Sequence, residues 1–298
     1  MTHTLPANVI KLSDGRRLCY AEFGAAGGTP LLYCHGFPAS RLEARIFDAA
    51  ANAQNFRVIA PDRPGYGLSD FLACRRIGDW ASDMGELADR LGLQRFAVLG
   101  VSGGGPYAMA CGERLGNRVS RIGLVGALGP LCRADSTLGM GFLAAQAIRL
   151  ARAAPSLAGW MYAQVVGPFM RRHPLAMLSL LTSAAPQADR HALRDPDIQN
   201  MLARSIEEAF RHGGRGPAHD LYLYTQPWDI DPGAIAVETY LWHGEADRTV
   251  PVAMGRRNAA LIPRCHATFY PDEGHFSLPI RRAESILAVL AGSLPSRL

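Results

Sequence analysis

Lysine is nearly missing from this chain. Lys11 is the only one, and arginine carries almost all of the positive charge behind a net +5. The arginines come as scattered pairs, Arg16-Arg17, Arg75-Arg76, Arg171-Arg172, Arg256-Arg257 and Arg281-Arg282. A nucleic-acid surface gathers its basic residues into one stripe with aromatics between them, so a nucleic-acid partner is not expected. A weak pull on anionic substrates is the most this charge supports. Closely spaced cysteine pairs are also lacking. Cys19, Cys34, Cys74, Cys111, Cys132 and Cys265 contain no C-x-x-C and no zinc-type spacing, so no metal is expected. Cys34 and Cys111 lie in apolar runs and read as small core residues. Long apolar runs are missing too. A membrane span needs roughly 18 uncharged apolar residues, and the best stretch, Leu138 to Ile148, is stopped by Arg149 and Arg152. The segment from Met1 to Lys11 has no apolar run of the signal-peptide kind. Thiols without framework spacing suit a reducing compartment. The expectation is a soluble, cytoplasmic protein with no membrane partner.

What is present is a chain of 298 residues, 48% hydrophobic and 19% charged, enough for one large core with an insertion. Short apolar runs alternate with helical patterns, which predicts an α/β fold: a mostly parallel sheet flanked by helices. The predicted strands are Arg17 to Phe23, Pro30 to Cys34, Phe56 to Ala60, Phe96 to Gly100, Arg121 to Val125, Glu238 to Trp242 and His266 to Tyr270. Helices are predicted over Arg41 to Gln54, Asp79 to Leu91, Gly103 to Leu115, Val252 to Leu261 and Ala283 to Leu294. From about Leu131 to Trp228 the alternation stops and the pattern becomes helical and irregular. This segment, residues 131–228, reads as an inserted helical lid on a core made of 1–130 and 229–298. No internal repeat stands out.

Gly100-Val101-Ser102-Gly103-Gly104 matches G-x-S-x-G. The bare pattern is common, but here a strand runs into it and a helix leaves it. So sharp a turn crowds the backbone, and glycines remove the Cβ atoms that would collide. Ser102 would then stand above the sheet at a helix N-terminus, where amides favour developing negative charge. A dinucleotide loop is rejected, because that motif follows the first strand of its unit.

A serine hydroxyl needs a base with a near-neutral pKa, which means histidine. His275, in Asp272-Glu273-Gly274-His275-Phe276, follows the last predicted strand. A carboxylate must orient it. Asp247, in the loop after Glu238 to Trp242, falls between serine and histidine, the chain order such a turn uses. Glu245 reads as a surface charge, and Asp135 is a weaker alternative acid. The developing oxyanion needs donors: the amide of Gly103 and, from the loop His35-Gly36-Phe37-Pro38, the amide of Phe37. Pro38 has no N–H, and His35 reads as a residue that braces this loop.

These segments, with Asp62-Arg63-Pro64-Gly65-Tyr66-Gly67-Leu68-Ser69 and His243-Gly244-Glu245-Ala246-Asp247, resemble the α/β-hydrolase family over essentially the whole chain. The resemblance implies an eight-stranded sheet, a lid between strands six and seven, and a two-step acyl-serine mechanism without cofactor. Haloalkane dehalogenases and epoxide hydrolases of this family carry aspartate where Ser102 stands, so neither activity is expected. Phe37 and Gly103 depart from the pattern usual in proline iminopeptidases. Cofactor-free haloperoxidases share the triad, and a side activity of that kind stays open.

The expected function is hydrolysis of a carboxylic ester or lactone of a small, largely apolar substrate. Hydrolysis of a carbon–carbon bond in a β-diketone-like substrate is the alternative. A third reading is a ligand receptor that keeps the fold without turnover. Trp160, Tyr162, Phe169 and Met170 are the candidate substrate contacts from the lid, although packing between lid helices accounts for each singly. Glu207 and Glu208, adjacent on a helix, read as a solvated face. The apolar lid and the last helix leave a homodimer open.

Overall fold

A computed structural model of the chain describes residues 6–183 and 185–292. Its framework is one eight-stranded sheet in the order β1-β2-β4-β3-β5-β6-β7-β8. The strands are β1 (Asn8–Lys11), β2 (Arg17–Gly24), β3 (Thr29–Cys34), β4 (Phe56–Pro61), β5 (Phe96–Val101), β6 (Val119–Val125), β7 (Thr239–Gly244) and β8 (Cys265–Tyr270). β1 and β2 pair antiparallel at one edge, and β2 pairs antiparallel with β4. From β4 onward every pairing is parallel.

The helices are α1 (Asp48–Ala53), α2 (Trp80–Arg90), α3 (Gly105–Arg114), α4 (Phe142–Ala153), α5 (Pro155–Met161), α6 (Gly167–Arg172), α7 (Pro174–Thr182), α8 (Gln187–Ala192), α9 (Pro196–Ala209), α10 (Arg215–Thr225), α11 (Val252–Leu261) and α12 (Ser277–Ala291). The elements from α4 to α10 form a helical insertion between β6 and β7. The central strands are apolar throughout because helices cover both faces; every residue of β5 is buried. On one face Trp80, Met84 and Leu87 of α2 pack with Tyr107 and Cys111 of α3. On the other, Phe47 and Ala51 meet Leu278, Ile286 and Leu287 of α12. Burying a side chain of this size contributes about 1.5–3 kcal/mol.

Three details differ from the sequence reading. β1 was not anticipated, because Asn-Val-Ile-Lys is a short edge strand with no buried residue and so shows no alternation. The helix expected over Arg41 to Gln54 is a 3-10 turn, Arg41–Phe47, leading into α1. The last helix starts earlier, at Ser277, since Pro279 lies in its first turn, where a missing N–H does no harm. It ends at Gly292, whose φ of +89° closes it in the left-handed region.

Candidate active site

Ser102 sits between β5 and α3, at the head of a short 3-10 turn, Ser102–Gly104. Its φ of +53° is left-handed, a conformation that opposes an L side chain by about 1–2 kcal/mol. The surroundings enforce it. A Cβ on Gly100 would stand 2.7 Å from the Ala108 Cβ, and one on Gly104 would stand 1.9 Å from the Cys34 carbonyl oxygen. Neither backbone nor a packed alanine can give way, so the strand, the turn and the helix approach as closely as they do only through glycine.

The turn delivers Ser102 to His275. His275 Nε2 lies 3.0 Å from Ser102 Oγ, and His275 Nδ1 lies 2.7 Å from Asp247 Oδ2. The carboxylate can only accept, so Nδ1 carries the proton and Nε2 presents a lone pair to the hydroxyl. Asp247 is itself fixed: its Oδ1 accepts the amides of Thr249 and Val250, both at 2.8 Å. Burial pushes the His275 imidazole down, but the Asp247 carboxylate, helped by Asp189 and Glu43, outweighs it and holds the pKa above the ordinary histidine value. His243 sits beneath, with Nε2 3.7 Å from Asp247 Oδ2. It donates instead to the Val250 carbonyl at 2.8 Å, and burial keeps its own pKa below the ordinary value.

The loop after β3 lies against the serine. A Cβ on Gly103 would meet the Phe37 Cβ at 2.7 Å, the Tyr224 hydroxyl at 2.8 Å and the Phe37 amide nitrogen at 3.2 Å. The amides of Phe37 and Gly103 are therefore neighbours, and neither donates to another group among the described residues. Glu43 anchors this loop by accepting the Gly36 amide at 2.6 Å and the Tyr33 hydroxyl at 2.8 Å; burial raises its pKa above the usual carboxylate range. His35 Nδ1 donates to the Gly36 carbonyl at 3.0 Å while Nε2 accepts the Arg63 amide at 3.2 Å. Burial first, and then Arg63, keep this imidazole neutral well below the ordinary range.

Arg63 ties the loop to the insertion. It donates to the carbonyls of His35 and, at 2.9 Å, Gly36, and its Nε donates to Asp220 of α10 at 2.7 Å. Asp220 also accepts from Arg75 and from the hydroxyls of Tyr66 at 2.7 Å and Tyr107 at 2.6 Å. Burial opposes its charge, but Arg75 and Arg63 prevail and hold its pKa far below the usual carboxylate range. Tyr224, one turn on, donates to the Gly103 carbonyl at 2.8 Å. One buried carboxylate thus links the insertion to both sides of the serine.

Ser102, Asp247, His275, Phe37 and Gly103 all converge here. Glu245 is exposed and pairs with Arg256 at 2.6 Å. Asp135 is exposed and pairs with Arg257 at 3.0 Å. Tyr162 and Met170 point inward: Tyr162 stacks on Phe37 at 5.7 Å between ring centroids, and Met170 Sδ lies 3.9 Å from the Tyr162 hydroxyl. Trp160 and Phe169 lie on the outer side, 59% and 45% exposed, and the structure does not bring them to the serine. Glu208 corrects the reading of a solvated pair. It is buried, and with Asp62 it holds Arg41, whose Nη1 lies 2.7 Å from Glu208 and 2.6 Å from Asp62. Its buried partner Arg41 is far away in sequence, so adjacency to Glu207 gave no hint of burial.

Asp189 was missed altogether. This buried carboxylate of α8 accepts the amides of His275 at 2.9 Å, Phe276 at 2.9 Å and Ser277 at 2.8 Å. It satisfies the open N-terminus of α12 from outside the helix. A Cβ on Gly274 would collide with it at 2.4 Å. The one local trace was the glycine before His275, which signals that something presses on that loop.

A profile described as alpha/beta hydrolase fold matches residues 29–280. The chain belongs to the α/β-hydrolase family. Haloalkane dehalogenase 2 of Mycobacterium tuberculosis is 36% identical over 112 residues, 37% of this chain and 38% of the dehalogenase, so that match spans well under half of either protein. A non-heme haloperoxidase of Rhodococcus erythropolis is 26% identical over 275 residues, covering 89% of this chain and 92% of the relative. The solved structure of a hydrolase from Pseudomonas aeruginosa PA01 superimposes with a TM-score of 0.70 at 20% identity, covering 97% of this chain and 98% of its own.

Proposed function

We propose that this α/β-hydrolase cleaves a carboxylic ester or lactone of a small, largely apolar substrate through an acyl-serine intermediate. One observation carries the reading: Ser102 Oγ is within 3.0 Å of an imidazole whose far nitrogen is fixed by a buried carboxylate at 2.7 Å. That geometry lets His275 Nε2 take the hydroxyl proton as Ser102 Oγ attacks the carbonyl carbon. The carbonyl oxygen gains the negative charge, and the amides of Phe37 and Gly103 are its donors. His275 then gives the proton to the leaving alkoxide, the alcohol departs, and the acyl group stays on Ser102. Water repeats the sequence: His275 takes its proton, the hydroxide oxygen attacks, and Ser102 leaves with the proton returned.

In this reading residues 131–228 act as the lid over a core of 1–130 and 229–298, with Tyr162 and Met170 against the acyl or aromatic part of the substrate. Trp160 and Phe169, on the outer side, are not part of that pocket. The family's dehalogenase members place an aspartate at the nucleophile position, so the partial likeness to a dehalogenase does not carry its activity here. The test is turnover of short p-nitrophenyl esters beside a panel of β-diketones. Ser102→Ala should lower ester kcat by at least about 10⁴-fold while folding is retained. Turnover of diketones without ester cleavage would replace the ester reading with the carbon–carbon one.

A further inference from the structure

From Ser136 to Ala188 the chain contains no aspartate or glutamate, and its full charges are Arg149, Arg152, Arg171 and Arg172. Most of the large hydrophobic side chains exposed on the protein fall in the same stretch, including Phe142 at 74%, Leu143, Leu157, Trp160, Val165 and Phe169. Residues 155–172 are helical without a break, α5 passing through a π-turn at Tyr162–Val166 into α6. One side of this rod, with Ala158, Tyr162 and Met170, packs inward. The opposite side presents Leu157, Trp160, Val165 and Phe169 to solvent. A helix that is apolar all round is stable when both sides are covered, and an exposed apolar patch of this kind marks an interaction surface.

Charge identifies the occupant. Among the described residues, no ion pair involves Arg149, Arg171 or Arg172, so their charge is not neutralised within the chain. A second copy docked by two-fold symmetry would set these helices, which carry arginines and no acid of their own, against themselves. An anionic surface complements it. Aromatic and aliphatic side chains enter the boundary between headgroups and acyl chains, tryptophan favours that depth, and arginine stems lie along it while their guanidinium groups reach phosphate. We propose that the outer face of the insertion, from α4 through α6, docks on an anionic phospholipid bilayer, lying on it rather than crossing it. The expectation of no membrane partner came from the length of uncharged runs, which reports on spanning and not on an outward apolar face. The docking surface is independent of the proposed reaction.

The experiment is flotation of the intact protein with vesicles of phosphatidylcholine alone and of phosphatidylcholine mixed equally with phosphatidylglycerol, with sedimentation velocity of the protein without lipid. The expected result is co-flotation with the anionic vesicles, weakened by salt, and a blue shift of tryptophan emission. Trp160→Ser with Phe169→Ser should abolish both, and Arg171→Glu with Arg172→Glu should weaken flotation by at least about tenfold, each variant keeping the wild-type melting profile. Absence of flotation by the folded protein overturns the proposal. So does equal binding to neutral vesicles. A dimer in sedimentation that Trp160→Ser with Phe169→Ser dissociates, without vesicle binding, would assign the face to a second copy instead.

Discussion

Replacing Asp189 probes the hold of the insertion on the proposed base. Its carboxylate takes the three successive amides of His275, Phe276 and Ser277 at 2.8–2.9 Å. Alanine would leave those buried donors without partners. Each orphaned donor costs about 1–3 kcal/mol, and with water entering the gap the lower end applies, so Asp189→Ala should destabilise by roughly 3 kcal/mol. Asn keeps the shape. Its oxygen can stay on Phe276 and Ser277, but its NH₂ then faces the His275 amide, so the loss of about 1–2 kcal/mol falls on His275 itself. The charge matters separately. Burial pushes the His275 pKa down, and Asp247, Asp189 and Glu43 raise it above the ordinary value. Removing the Asp189 charge lowers it. Catalysis needs the neutral imidazole, so the rate is lost as pH falls through the His275 pKa, and a lower pKa moves the acid limb to lower pH. Asp189→Asn should therefore be a slower enzyme whose kcat/KM persists further into acid. The assay is the pH profile of p-nitrophenyl ester cleavage beside urea denaturation. Loosening alone would slow the enzyme at every pH without moving the limb. An unmoved or raised acid limb, with stability changed by less than about 0.5 kcal/mol, would refute this role for Asp189.

Gly103→Ala should lower ester kcat by about 10²-fold with a smaller effect on KM, because the new Cβ collides with Phe37 at 2.7 Å and displaces the oxyanion amides; steady-state kinetics decide, and near-wild-type kcat counts against these donors. Asp220→Asn leaves Arg63 and Arg75 buried without their counter-charge and should destabilise by about 3–5 kcal/mol, read from urea midpoints; a loss under about 1 kcal/mol would show that the cluster is not held by charge. Ser102→Gly should be inactive yet more stable by up to about 1 kcal/mol, since glycine relieves the +53° φ. Thermal melting checks this, and a variant less stable than wild type contradicts the strain.

The framework was legible because parallel strands buried on both faces are short apolar runs, as Phe96 to Val101 is, and because the serine turn needs glycines that sequence displays. That Asp247 and His275 would meet at Ser102 was legible from chain order. What stayed hidden depends on the insertion. Asp189 and Asp220 are ordinary acidic residues on helices until folding carries them onto α12 and onto Arg63. Glu208 differs from Glu207 only in which side of α9 meets Arg41. Between Leu157 and Met170 the helical rod carries no charge and is mostly apolar on every side, so no periodicity told Tyr162 and Met170, inside, from Trp160 and Phe169, outside.

The central claim is that Ser102 is an activated nucleophile. Treating the purified protein with a fluorophosphonate and locating the adduct by mass spectrometry tests it directly. The account predicts stoichiometric phosphonylation of Ser102, abolished in His275→Ala and slowed in Asp247→Asn. A well-folded protein that stays unlabelled, or is labelled elsewhere, would contradict it.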